Sequence, residues 1–208
     1  MADLFYLQDS RSNVGSRAMF WREGGGYTSN LDAAEQFTRE RAVEQFESRE
    51  SDLPWPVEYV RARAEVGVDS QYLTRSEAEA YRNGDGRVYV AHAREWDGND
   101  LVWRGGEGPT ANLENAIHPG AADAAGYVAQ GFELWPFGYI AERSRPVVRA
   151  ALLHHKQALR SVGLKLPKLK RPRHRSYNCR INCDGCGRFI SEHQRFEDCP
   201  NCGARNAP

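Results

Sequence analysis

An internal repeat constrains the fold of this chain more than any other feature of its 208 residues. The segment AMFWREGGGYTSNLDAA (18–34) returns 82 residues later as DLVWRGGEGPTANLENA (100–116). The identical pairs are Trp21 and Trp103, Arg22 and Arg104, Gly24 and Gly106, Gly26 and Gly108, Thr28 and Thr110, Asn30 and Asn112, Leu31 and Leu113, and Ala34 and Ala116. FYLQDSR likewise returns as VYVAHAR, and DLPWPVEYVRAR as FELWPFGYIAER. Self-similarity of this kind predicts that the body is one unit of about 55–60 residues, duplicated in tandem.

Each repeat unit has the pattern of a small sheet covered by helices. Aromatic and apolar runs predict two strands per unit, followed by a glycine-rich loop. An Asn-capped short helix, a longer helix and a closing strand that follows Trp-Pro complete the unit. The predicted strands are Leu4–Gln8, Ala18–Arg22 and Val57–Arg63 in the first unit, and Arg87–Ala91, Leu101–Arg104 and Phe137–Glu142 in the second. The predicted helices begin after Asn30 and Thr38 in the first unit, and after Asn112 and over Ala121–Gln130 in the second.

The first unit resembles small uncharacterised proteins of bacteriophage and bacterial genomes. In those proteins a Trp-rich hairpin leads into a helix start like Tyr27-Thr28-Ser29-Asn30-Leu31, followed by Phe37-Thr38. The second unit departs from this pattern, with Pro109 in place of Tyr27 and Pro119-Gly120 in place of Phe37-Thr38. The resemblance covers about two-thirds of the chain and carries no known activity. It implies a bacteriophage accessory protein, which would act in the cytoplasm of a bacterial host.

The formal net charge of +0 hides a strong separation of charge along the chain. Residues 1–142 hold 13 Lys and Arg against 24 Asp and Glu, a difference of −11. Residues 143–208 hold 15 against 4, a difference of +11, and no acidic side chain lies between Glu142 and Asp184. This asymmetry favours a charged partner, because opposite potentials steer association. The alternative is that the basic segment lies on the acidic one and the charges cancel within the molecule.

Two segments with different patterns follow the second unit. Residues 144–163 have a cap residue, a proline near the start, a glycine at the end and apolar side chains at helical spacing, which predicts an amphipathic helix. Over 164–178, prolines and alternating basic side chains predict an extended arm that contacts phosphates, with a tyrosine as base-stacker. The candidate nucleic-acid-binding residues are Lys165, Lys168, Lys170, Arg171, Arg173, Arg175, Tyr177 and Arg180. The alternative interpretation of the arm is a solvated linker.

Four of the five cysteines form two matched pairs near the C-terminus. Cys183-x2-Cys186-Gly and Cys199-x2-Cys202-Gly are separated by 12 residues. Two thiolates at this spacing on a tight turn can bind one ion, and the following glycine permits a left-handed backbone. The paired motifs resemble the zinc-ribbon family in all ligand positions, which implies one Zn²⁺ held by these four residues. Four cysteines leave no position for water, so the zinc is predicted to be structural. Cys179 is interpreted as a spare thiol, and the alternative is a ligand that can replace one of the four.

Together these patterns predict an α+β protein with tandem duplicated small β-sheet-plus-helix units, followed by an amphipathic helix, a basic arm and a zinc ribbon. The expected segments are 1–66 and 87–143 for the units, 67–86 for a linker with a short helix, 144–163 for the amphipathic helix, 164–178 for the arm and 179–208 for the ribbon.

The sequence leaves three classes of function open. The first is a non-enzymatic protein that binds RNA or DNA through the arm and ribbon, with the acidic body as a scaffold or partner platform. The second is a bacteriophage anti-defence protein whose acidic body mimics DNA and blocks a basic protein partner. The third is a hydrolytic enzyme that uses body carboxylates. No catalytic motif supports the third, since the glycine-rich loops lack the Gly-Lys-Ser/Thr of a P-loop and the first lysine is Lys156.

The sequence also bears on the compartment. The start MADLFYLQDSRSN has no signal-peptide pattern, and no apolar run approaches the roughly 20 residues of a membrane-spanning helix. We therefore expect a cytoplasmic protein with reduced thiols and no membrane partner.

Overall fold

The computed structural model of the protein describes residues 3–82, 84, 86–168, 181–191 and 193–206. The chain divides into two compact units, which we call the body (Met1–Leu169) and the tail (Lys170–Pro208). Helices and several small antiparallel sheets both contribute, which confirms the predicted α+β class.

The first half of the body is an antiparallel sheet with short helices. Its elements are β1 (Leu4–Val14), β2 (Arg17–Trp21), β3 (Tyr27–Thr28), β4 (Phe37–Thr38), α1 (Arg39–Ser48), β5 (Asp52–Pro56), α2 (Val57–Arg61), β6 (Glu65–Val68) and α3 (Arg75–Glu79), with a 3-10 turn at Ser70–Tyr72. The long strand β1 pairs with β2, β4 and β5. Thr38 caps α1 as predicted, because its hydroxyl oxygen accepts a hydrogen bond from the Arg41 N–H.

The second half of the body follows the same order of elements, except that a 3-10 turn stands where the first half has β4. It comprises β7 (Val88–Asp97), β8 (Asp100–Arg104), β9 (Pro109–Thr110), α4 (Ala121–Ala129), β10 (Phe132–Pro136), α5 (Phe137–Arg143), β11 (Ser144–Val147) and α6 (His155–Ser161), with 3-10 turns at Leu113–Asn115 and Ala150–Leu152. Its antiparallel sheet has the order β10-β7-β8-β9. The duplication inferred from the sequence stays a prediction, and we use the shared order only to say which positions correspond.

Each half packs its last segment on the core of the other half. The first core contains Tyr6, Phe20, Leu31, Trp55 and Tyr59 together with Val148 and Ala158 of the second half. The second core contains Tyr89, Trp103, Leu113, Trp135 and Tyr139 together with Val68 and Ala78 of the first half. The strands β6 and β11 pair with each other between the two exchanged segments. This reciprocal exchange joins the halves into one body within a single chain.

A chain of alternating charges crosses the boundary between the halves. It runs through Asp69, Arg145, Asp100, Arg17, Glu65 and Arg149 in that order. The Nη2 atom of Arg145 is 2.7 Å from Asp100 Oδ1, and Arg17 Nε is 2.9 Å from Asp100 Oδ2. Burial raises the pKa of the Asp100 carboxyl, and the two guanidinium groups oppose that rise. The boundary is therefore held by a buried ion network as well as by apolar packing.

The alignment of the two halves by strand pairing differs by one residue from their alignment by sequence identity. In the first half β1 pairs Gln8 with Phe20, and in the second half β7 pairs Ala91 with Trp103. Because Gln8 and Ala91 correspond, the structural counterpart of Trp103 is Phe20 rather than Trp21. Phe20 lies against Tyr6 and Trp103 against Tyr89 with the same ring-centroid distance of 5.5 Å and interplanar angles of 52° and 53°. The loop between the second and third strands is one residue longer in the first half. The two Trp-Arg pairs therefore align in sequence without occupying corresponding places.

The closing strands predicted after Trp-Pro are helices. Residues Val57–Arg61 and Phe137–Arg143 form α2 and α5, and the strands β5 and β10 end at the preceding prolines. Pro56 and Pro136 occupy the N-cap positions with φ of −57° and −56°. A proline fixed near this angle favours the start of a helix, and this effect outweighed the β-branched and aromatic composition on which the strand prediction depended.

The amphipathic helix predicted over 144–163 is much shorter. Ser144–Val147 forms β11, paired with β6, and helix begins only at His155. The predicted linker over 67–86 likewise begins inside β6 and contains α3. Both segments are drawn into sheet by pairing with one another, which is a tertiary interaction that local periodicity does not reveal.

The helix predicted after Asn30 is a turn, and the one after Asn112 is a single 3-10 turn. The side-chain oxygen of each asparagine accepts a backbone N–H two residues later, at 3.0 and 3.2 Å. This Asx-type bond satisfies the first backbone donor without continuing into a helix.

The tail is a small two-stranded structure. β12 (Ile181–Asn182) pairs antiparallel with β13 (Phe189–Ile190), and a 3-10 turn follows at His193–Phe196. Its buried cluster consists of Cys183, Ile190 and Cys199, with Ile181 and Ala204 packed against it.

Candidate metal centre

Two backbone turns of the same geometry present the cysteines of the tail. In the first turn the Gly187 N–H donates to the Cys183 carbonyl, and in the second the Gly203 N–H donates to the Cys199 carbonyl, both at 2.8 Å. Gly187 and Gly203 have φ of 68° and 70°, a left-handed conformation that disfavours other residues. The spacing in the sequence thus produces two equivalent turns, each with one buried and one exposed cysteine.

The four sulfur atoms lie close enough to share one ion. The Sγ atoms of Cys183 and Cys202 are 3.6 Å apart, those of Cys186 and Cys199 are 3.8 Å apart, and all four lie within 4.8 Å of one another. A tetrahedral ion with Zn–S bonds of about 2.3 Å requires sulfur atoms about 3.8 Å apart. A disulfide would need about 2 Å, and all four are free thiols. The four cysteines could therefore hold a metal ion.

Backbone N–H groups close to the sulfur atoms favour the thiolate form. The Gly185 N–H donates to Cys183 Sγ at 3.3 Å. The Asn201 N–H lowers the pKa of the Cys199 thiol to about 6, against the opposing effect of burial. A Cβ atom on Gly185 would lie 2.5 Å from Ala204 Cβ, so this turn has no room for a side chain. Because metals bind thiolates, these donors suit a cation site.

Most of the predicted nucleic-acid-binding residues lie outside the described residues. These are Lys170, Arg171, Arg173, Arg175, Tyr177 and Arg180, and the spare thiol Cys179 lies outside them as well. Lys165 and Lys168 are described: both are exposed, in a segment without helix or strand. Within the described part of the chain, neither lysine has an ion-pair partner, so both are free to contact a ligand.

The first three arginines after residue 142 are used within the body. Arg143 lies 3.0 Å from Glu77, and Arg149 Nε donates to Glu65 Oε1 at 2.7 Å. Arg145 belongs to the buried charge network. The positive charge counted from residue 143 onward therefore overstates the charge that a partner could meet.

Sequence reasoning missed two exposed aromatic side chains on the tail. Phe189 and Phe196 are 57% and 65% exposed, and the Arg195 guanidinium lies 5.7 Å from the centre of the Phe196 ring. The exposure of Phe189 could have been predicted from the sequence, because successive strand residues face opposite sides and its neighbour Ile190 is buried. These rings are a surface that unpaired bases could stack on.

The buried carboxylates of the body are engaged by arginines. Among the described residues these are Asp9, Asp52, Asp69 and Asp100, and each forms an ion pair with a guanidinium at 2.7 to 3.4 Å. Such pairs hold each carboxylate in place, which suits structural support. In the described part of the chain, the cysteine cluster is the one group of His, Cys, Asp or Glu placed to hold a metal.

Within the described ranges, no helix is both long and apolar enough to cross a membrane. No protein-family model, curated protein or solved structure matches the chain. The function therefore has to be inferred from the site itself.

Proposed function

We propose that this chain is a non-enzymatic nucleic-acid-binding protein in which a structural Zn²⁺ folds the tail and the basic arm contacts phosphates. The observation that carries the proposal is the stretch from 164 to 183, which holds seven Lys and Arg and no Asp or Glu. Each phosphate that such a segment neutralises releases counterions, which gives affinity that is largely independent of sequence. The acidic body would serve as a scaffold or partner platform.

Zinc is the ion that suits the donor set. Thiolate ligands select zinc, copper(I) or iron–sulfur chemistry over magnesium and calcium, and four tetrahedral sulfurs favour zinc. When bound, a structural zinc contributes folding free energy, on the order of 10 kcal/mol or more. The tail needs such a contribution, since Ile190 is the one large apolar side chain among its described buried residues.

The exposed rings of the tail support contact with unpaired bases. Phe189 and Phe196 offer faces for stacking, and Arg188 and Arg195 are adjacent to them in the chain and suit phosphate contacts. Stacking on an aromatic ring requires an exposed base face, so we expect single strands to bind more tightly than duplexes.

The zinc assignment is tested by elemental analysis of the purified chain. We expect one zinc per chain, and a loss of zinc in the variants Cys186→Ser and Cys199→Ser. Retention of one zinc by both variants, or iron in place of zinc, would contradict the assignment.

Binding is tested by fluorescence anisotropy with labelled single-stranded RNA and DNA. In the test variant Lys165, Lys168, Lys170, Arg171, Arg173 and Arg175 are all changed to Gln. In the control variant the exposed body residues Arg41, Arg82, Arg94 and Arg160 are changed to Gln. We expect the test variant to lose at least tenfold in affinity and the control to stay within about twofold. Equal loss in both variants, or none in the first, would contradict the role of the arm.

A second candidate function rests on the acidity of residues 1–142, in which Asp and Glu exceed Lys and Arg by 11. A bacteriophage anti-defence protein could use this surface to block a basic host protein, as the resemblance of the first unit to bacteriophage proteins suggests. A pull-down from bacterial lysate with the unchanged chain and with the arm variant above, each with and without nuclease, separates the two candidates. A basic protein captured by both chains despite nuclease supports the second candidate, whereas capture by the unchanged chain that nuclease abolishes supports nucleic-acid binding.

A further inference from the structure

A polar groove lies in the body where the two halves meet. Its volume is about 440 Å³, and its walls include Arg22, Tyr27, Asn30, Gln71 and Tyr72 of the first half and Arg145 of the second. One carboxylate, Asp69, also lines the groove and is paired with Arg145 at 3.1 Å. Grooves at the junction of two packed units are common places for small ligands. Two tyrosine rings and two guanidinium groups therefore line the same groove.

The two arginines offer unused hydrogen-bond donors. Within the described part of the chain, Arg22 has no ion-pair or side-chain hydrogen-bond partner. Arg145 uses Nη2 for Asp69 and Asp100, while its Nη1 is buried and has no hydrogen-bond partner among the described residues. A buried donor without a partner is unfavourable. Arg22 is exposed and can pair with an anionic ligand directly, whereas Arg145 is covered and its pairing with Asp69 offsets the charge of that carboxylate in the groove wall.

The two tyrosines offer apolar ring faces. Tyr72 is 69% exposed, more than any other large apolar side chain of the described body, and Tyr27 is 42% exposed. The hydroxyl oxygen of Tyr27 accepts a hydrogen bond from Arg49 Nη1, which fixes the ring position. Tyrosine rings of this kind stack flat heterocycles. The amide groups of Asn30 and Gln71 lie along the same groove and suit polar ring edges.

The corresponding place in the second half lacks all four of these groups. Strand pairing and element order match Gly105 with Arg22, Pro109 with Tyr27, Leu152 with Tyr72, and Glu65 with Arg145. The cavity beside Glu65 and Pro109 has a volume of only about 170 Å³. A larger cavity of about 580 Å³ follows the loop Gly105–Thr110, but no aromatic side chain lines it. The chemistry of the first groove is thus specific to one half and is not a consequence of the fold.

We infer that this groove binds a nucleoside monophosphate, either free or as the phosphorylated end of a strand. Arg22 binds the phosphate, Arg145 offsets the charge of Asp69 in the groove wall, and Tyr27 and Tyr72 hold the base. This inference concerns the body alone and does not depend on the zinc or on the basic arm. It also explains how a body with an excess of acidic residues can still bind one anionic group, because the carboxylate of the groove is paired while Arg22 has no ion-pair partner within the described part of the chain.

Isothermal titration calorimetry of the full zinc-loaded chain with adenosine 5′-monophosphate tests the inference. Adenosine and inorganic phosphate are titrated separately, and each is expected to bind at least tenfold more weakly than the nucleotide. Arg22→Gln and Tyr72→Ala are each expected to weaken nucleotide binding at least tenfold. The control for Arg22→Gln is Arg160→Gln, which changes an exposed arginine without a described partner. The control for Tyr72→Ala is Leu152→Ala, which changes the corresponding residue of the second half. Both controls should leave nucleotide binding unchanged. Circular dichroism checks that every variant is folded.

Two results would overturn the inference: no nucleotide binding up to millimolar concentration, or equal binding by the groove variants and their controls. A short oligonucleotide with a 5′-phosphate, compared with its 5′-hydroxyl form, separates the two sources of the ligand. The oligonucleotide titrations use the six-residue arm variant, so that binding of the strand through the arm does not mask binding in the groove. Nucleotide binding that survives in the arm variant supports the groove even if the proposed function of the tail fails.

Discussion

The body buries aromatic side chains such as Trp103, Tyr139 and Phe20 in two cores, whereas the described tail buries little more than Ile190 beside two of its cysteines. In the body, burial of apolar area and a buried ion network are sufficient to specify one arrangement. The tail is far below the size at which apolar burial alone stabilises a fold. If a bound zinc stabilises the tail as we propose, the two regions have independent sources of folding free energy, and each should respond to a different perturbation.

Metal removal is expected to have the largest effect and to separate the two regions most clearly. A chelator should unfold the tail, because it removes a contribution of roughly 10 kcal/mol or more, and should leave the body folded. Amide NMR spectra before and after chelation would show loss of dispersion for signals of residues 181–206 alone. Loss of dispersion throughout the body would contradict the division.

Within the body, burial predicts which of two tryptophans on one hairpin contributes more to the free energy of unfolding. Trp103 is fully buried, so Trp103→Ala should lower the free energy of unfolding by about 3–5 kcal/mol. Trp96 is 54% exposed, so Trp96→Ala should change it by no more than about 0.5 kcal/mol. Urea denaturation of the two variants measures both values, and similar losses would contradict the assignment of the core.

The ion network at the boundary of the halves is expected to matter more than surface ion pairs. Asp100→Asn leaves the buried guanidinium groups of Arg17 and Arg145 without their shared countercharge, so we expect a loss of about 3 kcal/mol. Glu44→Gln breaks an exposed pair with Arg41 and should cost less than about 1 kcal/mol. Denaturation curves that rank these variants in the reverse order would show that the network does not hold the halves together.

The smallest expected effect is a pH dependence that arises in α6. Burial lowers the pKa of His155, whose neutral ring donates from Nε2 to the Pro54 carbonyl at 3.0 Å. In the unfolded chain the imidazole takes up a proton near pH 6.5 that the folded chain does not bind. Stability should therefore fall as pH drops through about 6.5, and His155→Gln should flatten this fall. The exposed His154 provides the control, since His154→Gln should leave the pH profile unchanged.

The charge network also explains how the two halves of the body recognise each other. By element order Asp69 corresponds to Arg149, Arg145 to Glu65 and Asp100 to Arg17. The two residues of each corresponding pair therefore carry opposite charges, and the ion pairs across the boundary join a residue of one half to an oppositely charged residue of the other. Two copies of the same half would bring like charges together at this boundary, which is unfavourable in a buried setting. Pairing within one chain is therefore favoured over pairing of like halves, a point that sequence identity could not show because the network residues differ between the halves.

Local signals in the sequence were sufficient where the physical cause is local. The first two strands of each half, the Thr38 cap and the four cysteines of the metal centre all depend on residues within a few positions of one another. The class α+β follows from them. The glycines at 187 and 203 were assigned to left-handed turns for the reason that the structure shows.

Prediction from the sequence failed where distant segments decide the outcome. The helix expected over 144–163 is interrupted because Ser144–Val147 pairs with Glu65–Val68, about 80 residues away. The equivalence of Trp21 and Trp103 failed because one extra loop residue shifts the strand register, and a shift of one residue reverses the face of every side chain. The groove at the junction of the halves could not be predicted either, since its walls come from four separate parts of the chain.

The salt dependence of nucleic-acid binding tests the central claim most directly. The full zinc-loaded chain and the six-residue arm variant are titrated against the same labelled strand at several salt concentrations. If the arm neutralises four phosphates, the logarithm of the association constant should fall with the logarithm of salt concentration with a slope of about −2.8 for a single strand. The arm variant should bind more weakly and with a shallower slope, because only the remaining phosphate contacts, such as those of Arg188 and Arg195, release counterions. A shallow slope for the unchanged chain, or an equally steep slope for the variant, would contradict the account.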